Sequence, residues 1–242
     1  MLLTMLAAMA LQQPDPARVV LNATLKAYRD CPSYRDTGSV VSVFEVAGEP
    51  SESTTRTTKT WFVRPDHVRF ECHEIDAESK VDEYFVVWKG KTGSHTWWSR
   101  TANGTHDPEP LQALRAASAI SGGASDLLFA LMCPVEGGEG WSLAKLEKLN
   151  LDNPEVVAGA PCHVLKGLGF AGSEVAVWID SKTHAIMRYR EAIPLEGGRL
   201  IDTIDFKPQL GAPVTPEEAW FKPPIVREPP PVGSDTGGGG SR

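Results

Sequence analysis

Long apolar runs are missing from this chain of 242 residues. A helix that crosses a bilayer needs roughly 20 consecutive apolar residues, and no run reaches that length. Positive charge is also in short supply: 24 Lys and Arg stand against 31 Asp and Glu, for a formal net charge of −7. Without a basic stripe there is nothing to neutralise a phosphate backbone, which argues against nonspecific nucleic-acid binding. The same shortage argues against a polybasic membrane anchor. Cysteine is confined to Cys31, Cys72, Cys133 and Cys162. None forms a C-x-x-C unit, so a redox motif or a zinc knuckle has little support. Fully paired, the four allow three connectivities, and spacing does not choose among them.

Catalytic signatures are absent too. The histidines His67, His73, His95, His106, His163 and His184 include no H-E-x-x-H pair. No G-x-S-x-G elbow occurs. Gly122-Gly123 and Gly237 to Gly240 lack the strand, Lys and helix of a phosphate loop. Asp36-Thr37-Gly38-Ser39 does match the D-T-G-S string of aspartic proteases, and Asp235-Thr236-Gly237 repeats part of it. Those enzymes hold two Asp close enough to share a proton, which a Gly-rich tail cannot do. The string reads instead as a turn. No catalytic residue, metal ligand or cofactor is therefore expected, and the chain reads as a binding protein. The fallback of a hydrolase would require convergent carboxylates or a metal cluster in a cleft.

What is present is patterned. A chain of this size buries enough apolar surface to fold without metal or disulfides. Leu2 to Ala10 is apolar and ends in Ala8-Met9-Ala10, a small-x-small pattern like an export cleavage site, although no Lys or Arg precedes it. Residues 1–14 read as an export signal, 15–228 as one domain and 229–242 as a disordered Pro- and Gly-rich tail. Asp15-Pro16 starts a helix, with Asp as N-cap and Pro at N1. Ala17, Leu21, Leu25 and Tyr28 give it one apolar stripe, and Cys31-Pro32 ends it. Strands are predicted over Ser39–Val46, over Thr57–Glu74 with a break at Arg64-Pro65, and at Tyr84–Trp88 and Thr96–Trp98. Gly48 to Thr55 reads as a polar loop. Leu111, Leu114 and Ala117 mark one inserted helix; Leu127, Leu128, Leu131 and Met132 mark a second, after Gly122-Gly123. Strands return around Val156, at His163–Leu165, Val175–Ile179, Ala185–Glu191 and Leu200–Phe206. The class is α+β: one antiparallel sheet covered by helices.

The order of motifs is more telling than any single one. Helix, strand and polar loop lead to Trp61-Phe62-Val63-Arg64-Pro65 and Val68-Arg69-Phe70-Glu71. A Val87-Trp88-Lys89-Gly90 hairpin, the helical insert and Trp178-Ile179-Asp180 follow, and Trp220-Phe221-Lys222-Pro223-Pro224 closes the set. Over residues 16 to 226 this series resembles the LolA-type outer-membrane lipoprotein carriers. The resemblance implies an incomplete antiparallel β-barrel, strongly curved, with the N-terminal helix and the helical insert covering its concave face. It implies an exported, periplasmic, monomeric protein that holds the acyl chains of a lipid or lipoprotein, with membrane-bound donor or acceptor proteins as partners. Envelope sensors share the fold, so a sensor or protein-interaction module is the alternative. By the same resemblance Arg64 is the latch that hydrogen-bonds to the lid helix. Phe62, Val68, Phe70, Leu21 and Leu25 are then the acyl-chain lining; Phe62, Val68 and Phe70 share the strand parity of Arg64. A disulfide between Cys31 and Cys162 is implied as well. Two plainer readings stand beside these: a surface Arg before Pro, and ordinary core packing. The tryptophans read mainly as core or sheet-edge anchors rather than as a carbohydrate platform.

Overall fold

A computed structural model of the chain describes residues 15–65, 67–75, 82–90, 93–100, 104–107, 117–133, 143–216 and 222. Helix α1 (Pro16–Asp30) leads into strands β1 (Ser33–Val46), β2 (Glu52–Val63), β3 (His67–Ile75), β4 (Asp82–Gly90), β5 (Gly93–Trp98) and β6 (Gly104–Asp107). Residues 117–120 are helical, and helix α2 (Ala124–Met132) follows. Strands β7 (Glu147–Val157), β8 (Ala160–Leu168), β9 (Glu174–Asp180), β10 (Ile186–Leu195), β11 (Gly198–Phe206) and β12 (Gln209–Leu210) follow.

The strands form one open, curved antiparallel sheet in the order β6-β5-β4-β3-β2-β1-β11-β10-β9-β8-β7, with β12 on β1. Two consecutive meanders thus meet at a single long-range seam, β1 against β11, where Val40 opposes Ile204 and Ser42 opposes Asp202. This is the α+β, incomplete-barrel class that the sequence implies.

Helix α1 forms for local reasons. Asp15 Oδ1 accepts the Ala17 N–H at 3.0 Å, and Pro16 occupies a position whose N–H would have had no partner. The buried residues are Ala17, Leu21, Thr24 and Tyr28. The stripe runs through Thr24 rather than Leu25, which is only partly buried. A period of 3.6 favours 17, 21, 24, 28, and Thr24 hides its hydroxyl on the Val20 carbonyl at 3.1 Å. Helix α2 is apolar nearly all round, because the sheet lies on one side and α1 on the other.

Strand alternation divides the residues between two faces. The inner face carries Tyr34, Asp36 and Val40 of β1; Thr58, Thr60 and Phe62 of β2; and Val68, Phe70 and Cys72 of β3. Val175, Val177 and Ile179 of β9 lie on it too, and the apolar residues of this face join the core under α1 and α2, with Asp36, Thr58 and Thr60 buried beside them. Phe70 meets Phe129 of α2 edge-on at 6.4 Å. The outer face holds a small separate cluster of Val157, Cys162, Val164, Ala176 and Trp178. This explains why β9 is apolar on both faces.

Several expectations need correction. Cys31 lies in the inner core and Cys162 in the outer cluster, on opposite sides of the sheet, so they form no disulfide. None of the four cysteines is in a disulfide, and burial pushes the Cys72 thiol up to about 12, so it is neutral. The polar segment before Thr57 is already strand from Glu52, because its Ser and Thr residues tolerate a pleated edge half in solvent. Strand β1 starts at Ser33 rather than Ser39, with the D-T-G-S string inside it instead of in a turn. Gly38 is needed there: a Cβ would meet Thr58 Oγ1 at 2.7 Å and the Asp205 carbonyl at 2.9 Å. Leu2 to Ala10, Leu111, Leu114, Trp141, Trp220, Phe221 and the 229–242 tail lie outside the described residues. Lys222 is described, and its carbonyl accepts from Arg69 Nη1 at 2.9 Å.

Tyr28 fastens α1 to the sheet, since its hydroxyl accepts the Ile186 N–H at 3.1 Å. Both residues are fully buried. Tyr28→Phe leaves that N–H without a partner, and a buried unsatisfied donor costs about 1–3 kcal/mol. Urea unfolding should show a loss of that size with an unchanged m-value; an unchanged midpoint would mean the bond contributes nothing.

Candidate functional site

The inner face is not covered along its whole length. Passing up β1 from Val40, the inward residues become Ser42 and then Phe44, which is 40 % exposed. Here a cleft of about 640 Å³ opens between β2, β1, β11 and β10 and the helical segment 118–127. That volume falls within the roughly 300–1,000 Å³ of small-molecule sites. Phe44, Ile193, Leu200 and Leu127 give it apolar walls, and Phe170 stands at its rim, 84 % exposed.

Gly122 sets the closeness of the helical roof. It has a positive φ of 55°, and a Cβ would meet Val40 Cγ1 at 2.9 Å, Asp202 Oδ1 at 3.0 Å and Ser42 Oγ at 3.2 Å. Only glycine fits both the left-handed backbone and that approach.

The floor is polar. Ser42 Oγ donates to Asp202 Oδ1 at 2.5 Å. Arg56 Nη1 donates to Ser42 Oγ at 3.0 Å, while Arg56 Nε pairs with Glu74 Oε2 at 2.6 Å. Across β10–β11, Glu191 lies directly opposite Asp202. Ser173 and the Tyr189 hydroxyl donate to Glu191 at 2.5 and 2.8 Å. Asp202 is 6 % exposed. Burial first, and the Glu191 charge as well, raise its carboxyl above the ordinary range; the Ser42 hydrogen bond and Arg56 oppose the rise.

The residues named from the sequence lie elsewhere. Arg64 Nε donates to the Cys31 carbonyl at 2.8 Å and Nη2 to the Tyr28 carbonyl at 2.9 Å. Its guanidinium also sits 5.2 Å from the Phe62 ring centre. It therefore satisfies the Cys31 carbonyl, shares the Tyr28 carbonyl with the Cys31 thiol at 3.1 Å, and places a positive charge at the negative end of the helix. Phe62, Val68, Phe70 and Leu21 are buried beneath the helices, and Leu25 packs against the same core. None of the five lines the cleft. Asp36 is buried in β1, and its D-T-G partner Asp235 lies outside the described residues. No group of three or more His, Cys, Asp or Glu among the described residues could hold a metal. No described helix is long and apolar enough to cross a membrane.

Sequence reasoning missed the cleft residues, yet a signal existed. The inner stripe of β11 runs Leu200, Asp202, Ile204, Phe206, and that of β10 runs Tyr189, Glu191, Ile193. Each places one carboxylate in the middle of an apolar stripe.

No family model matches the chain, and no curated protein matches it. Solved structures do show similarity of fold. The MucB chain of the MucA/MucB complex from Pseudomonas aeruginosa is 17 % identical, with 86 % of this chain and 61 % of that one covered at a TM-score of 0.43. This chain thus spans less than two thirds of MucB. LprF from Mycobacterium bovis is 14 % identical, with 82 % and 94 % covered at a TM-score of 0.46. A LolA superfamily protein from Nitrosomonas europaea is 7 % identical, with 85 % and 97 % covered at 0.32. Identities and scores this low carry no argument about the ligand, which is left to be read from the cleft.

Proposed function

We propose that this chain is an exported binding protein that receives the acyl chain of a lipid or lipoprotein, as carrier or as envelope sensor, without catalysis. The observation that carries the reading is the open cleft on the inner face, with Phe44 and Phe170 exposed at its mouth. Large apolar side chains left in solvent beside a preformed cavity mark a binding site. An acyl chain contributes about 0.8 kcal/mol for each methylene it buries, so a dozen give substantial affinity without specific polar contacts.

In this reading the cleft is the first station. Deeper on the same face lie Phe62, Val68 and Phe70, with Leu21 and Leu25 of α1 above them, which a chain reaches only when α1 or α2 lifts. Arg64 is the latch, because two charge-assisted hydrogen bonds hold the end of α1 down. Membrane-bound donors or acceptors would be the protein partners, and the working unit is a monomer. A partner strand adding at the β7 edge finds less support, because β7 carries two register shifts and Pro154. Export rests on the Leu2–Ala10 segment, since no disulfide supports it.

Native mass spectrometry and mass spectrometry of organic extracts from the purified protein test the reading. Stoichiometric lipid or acylated peptide is the expected result. A clean protein that also fails to bind a fluorescent acyl probe would overturn it. Arg64→Leu tests the latch. Weakening the closed state by about 2 kcal/mol should raise probe affinity up to roughly 30-fold and slow release. Unchanged affinity would make Arg64 a helix cap only.

A further inference from the structure

The cleft has a chemical sign that an acyl chain alone does not explain. Among the described residues its charged lining is Glu52, Asp126, Glu191 and Asp202, with Arg56 as the cation. Arg56 pairs with Glu74 through Nε and donates to Ser42 through Nη1. Glu191 and Asp202 form a directly opposed like-charge pair on the inner face. Such a cross-strand pair is destabilising, all the more with one member buried. The hydrogen bonds that hold the two carboxylates come from the hydroxyls of Ser42, Ser173 and Tyr189. Hydroxyl donors fix the carboxylates in place without a countercharge of their own; Arg56 reaches Asp202 only through Ser42 and offsets part of its charge, and Glu191 is bonded by hydroxyls alone. Beside the pair, Leu200 and Ile193 oppose each other in register, and Phe44 opposes Leu200 across the seam. Anion and apolar wall are therefore adjacent steps of the same two strands.

We infer that the cleft selects an amphiphile with a cationic amine head: the ammonium lies between Glu191 and Asp202, and the chain lies on Phe44, Leu200, Ile193 and Phe170. An ammonium has three donors for the acceptor capacity that the two carboxylates keep, and it relieves their mutual repulsion. A fatty carboxylate placed there would add a third negative charge to the same spot. The inference rests on the acyl-binding reading and adds the head group to it.

The test is displacement of a fluorescent acyl probe from the purified full chain by dodecylamine, dodecanol and dodecanoate, all below their micelle concentrations and at low salt. The amine should bind at least tenfold tighter than the alcohol, and the carboxylate most weakly. Added salt should weaken the amine and leave the alcohol unaffected. Asp202→Asn combined with Glu191→Gln should bring amine and alcohol to the same affinity. If circular dichroism shows that the pair does not fold, Glu191→Gln alone and the salt series on the natural chain decide. Phe170→Ser, at an exposed position, should weaken all three ligands alike. Equal affinity for amine and alcohol would overturn the head-group assignment while leaving acyl binding intact. So would a preference that survives the double substitution, or a Lys-rich peptide that displaces the probe as well as the amine does. Failure of all three ligands would overturn acyl binding as well.

Discussion

Asp36→Asn will flatten the dependence of stability on pH and make the protein more stable above neutrality. Asp36 is 5 % exposed, on the inner face of β1 beneath α1. Neither carboxyl oxygen has a well-formed hydrogen bond. The hydroxyls of Tyr34 and Thr60 lie near enough to temper the charge, but not in bonding geometry. Burial therefore dominates and pushes the carboxyl from its ordinary 3.8 up to about 7, against the opposing pull of Thr60 and Tyr34. The folded state holds the proton more tightly than the unfolded chain does. The stability from this group is complete below about pH 4 and is lost as pH rises through about 7. The full swing has a ceiling of about 4 kcal/mol. Asn is neutral throughout, so the variant and the natural chain should match near pH 4 and separate towards pH 8. Some slope will persist, because the Asp202 carboxyl is raised as well. Urea midpoints across that range make the measurement. Parallel curves would mean that Asp36 is ionised and well paired in the folded protein. The groups around it from the helix and both strands are Tyr28, Tyr34, Thr58 and Thr60, none of them a cation. Ionisation should therefore loosen the seat of α1, the helix that Arg64 ties down.

The same residue shows where the sequence misleads. Asp-Thr-Gly reads as a turn because Asp and Gly favour turns, and that reading cost β1 its first six residues. Tertiary demands overrode propensity: Gly38 is there because Thr58 and Asp205 leave no room for a Cβ. Where local chemistry and packing agree, the sequence was legible. Asp15-Pro16 and Cys31-Pro32 bound α1, Gly122-Gly123 divides the helical insert, and the W-F-V strand stops at Arg64-Pro65. The tie between Arg64 and α1 was legible only through a family resemblance, since its partners are the Tyr28 and Cys31 carbonyls, and backbone acceptors leave no mark in a sequence. The cleft was the least legible part. It is assembled from four strands and a helical turn that are neighbours only after β1 has met β11. Parity arguments identified which residues of β2 and β3 face inward. They could not say that α1 and α2 fill the space over Phe62 and Phe70, or that the opening lies farther along the same strands.

Phe70→Ala separates packed core from latent binding surface. Phe70 is fully buried, opposite Thr60 and Val87 in the sheet and edge-on to Phe129 of α2. Truncation removes the ring and leaves a void that the flanking strands cannot close, at a cost of about 3–5 kcal/mol. That loss is expected under either role, so stability alone does not distinguish them. The ligand does. A closed apolar void of that kind accepts small apolar guests, so a twelve-carbon chain gains from it only where the void is continuous with the cleft. If an acyl chain passes from the cleft to this part of the inner face, dodecanol fills the void in the variant and binds its folded state more tightly than it binds the natural protein. Folded-state binding raises the melting temperature in proportion to the logarithm of ligand over Kd. The shift on adding dodecanol should therefore be larger for Phe70→Ala than for the natural chain. Equal shifts would confine the chain to the cleft and leave Phe62, Val68 and Phe70 as core. In that case α1 and α2 would be fixed walls rather than lids, and Arg64 would serve only to cap the end of α1.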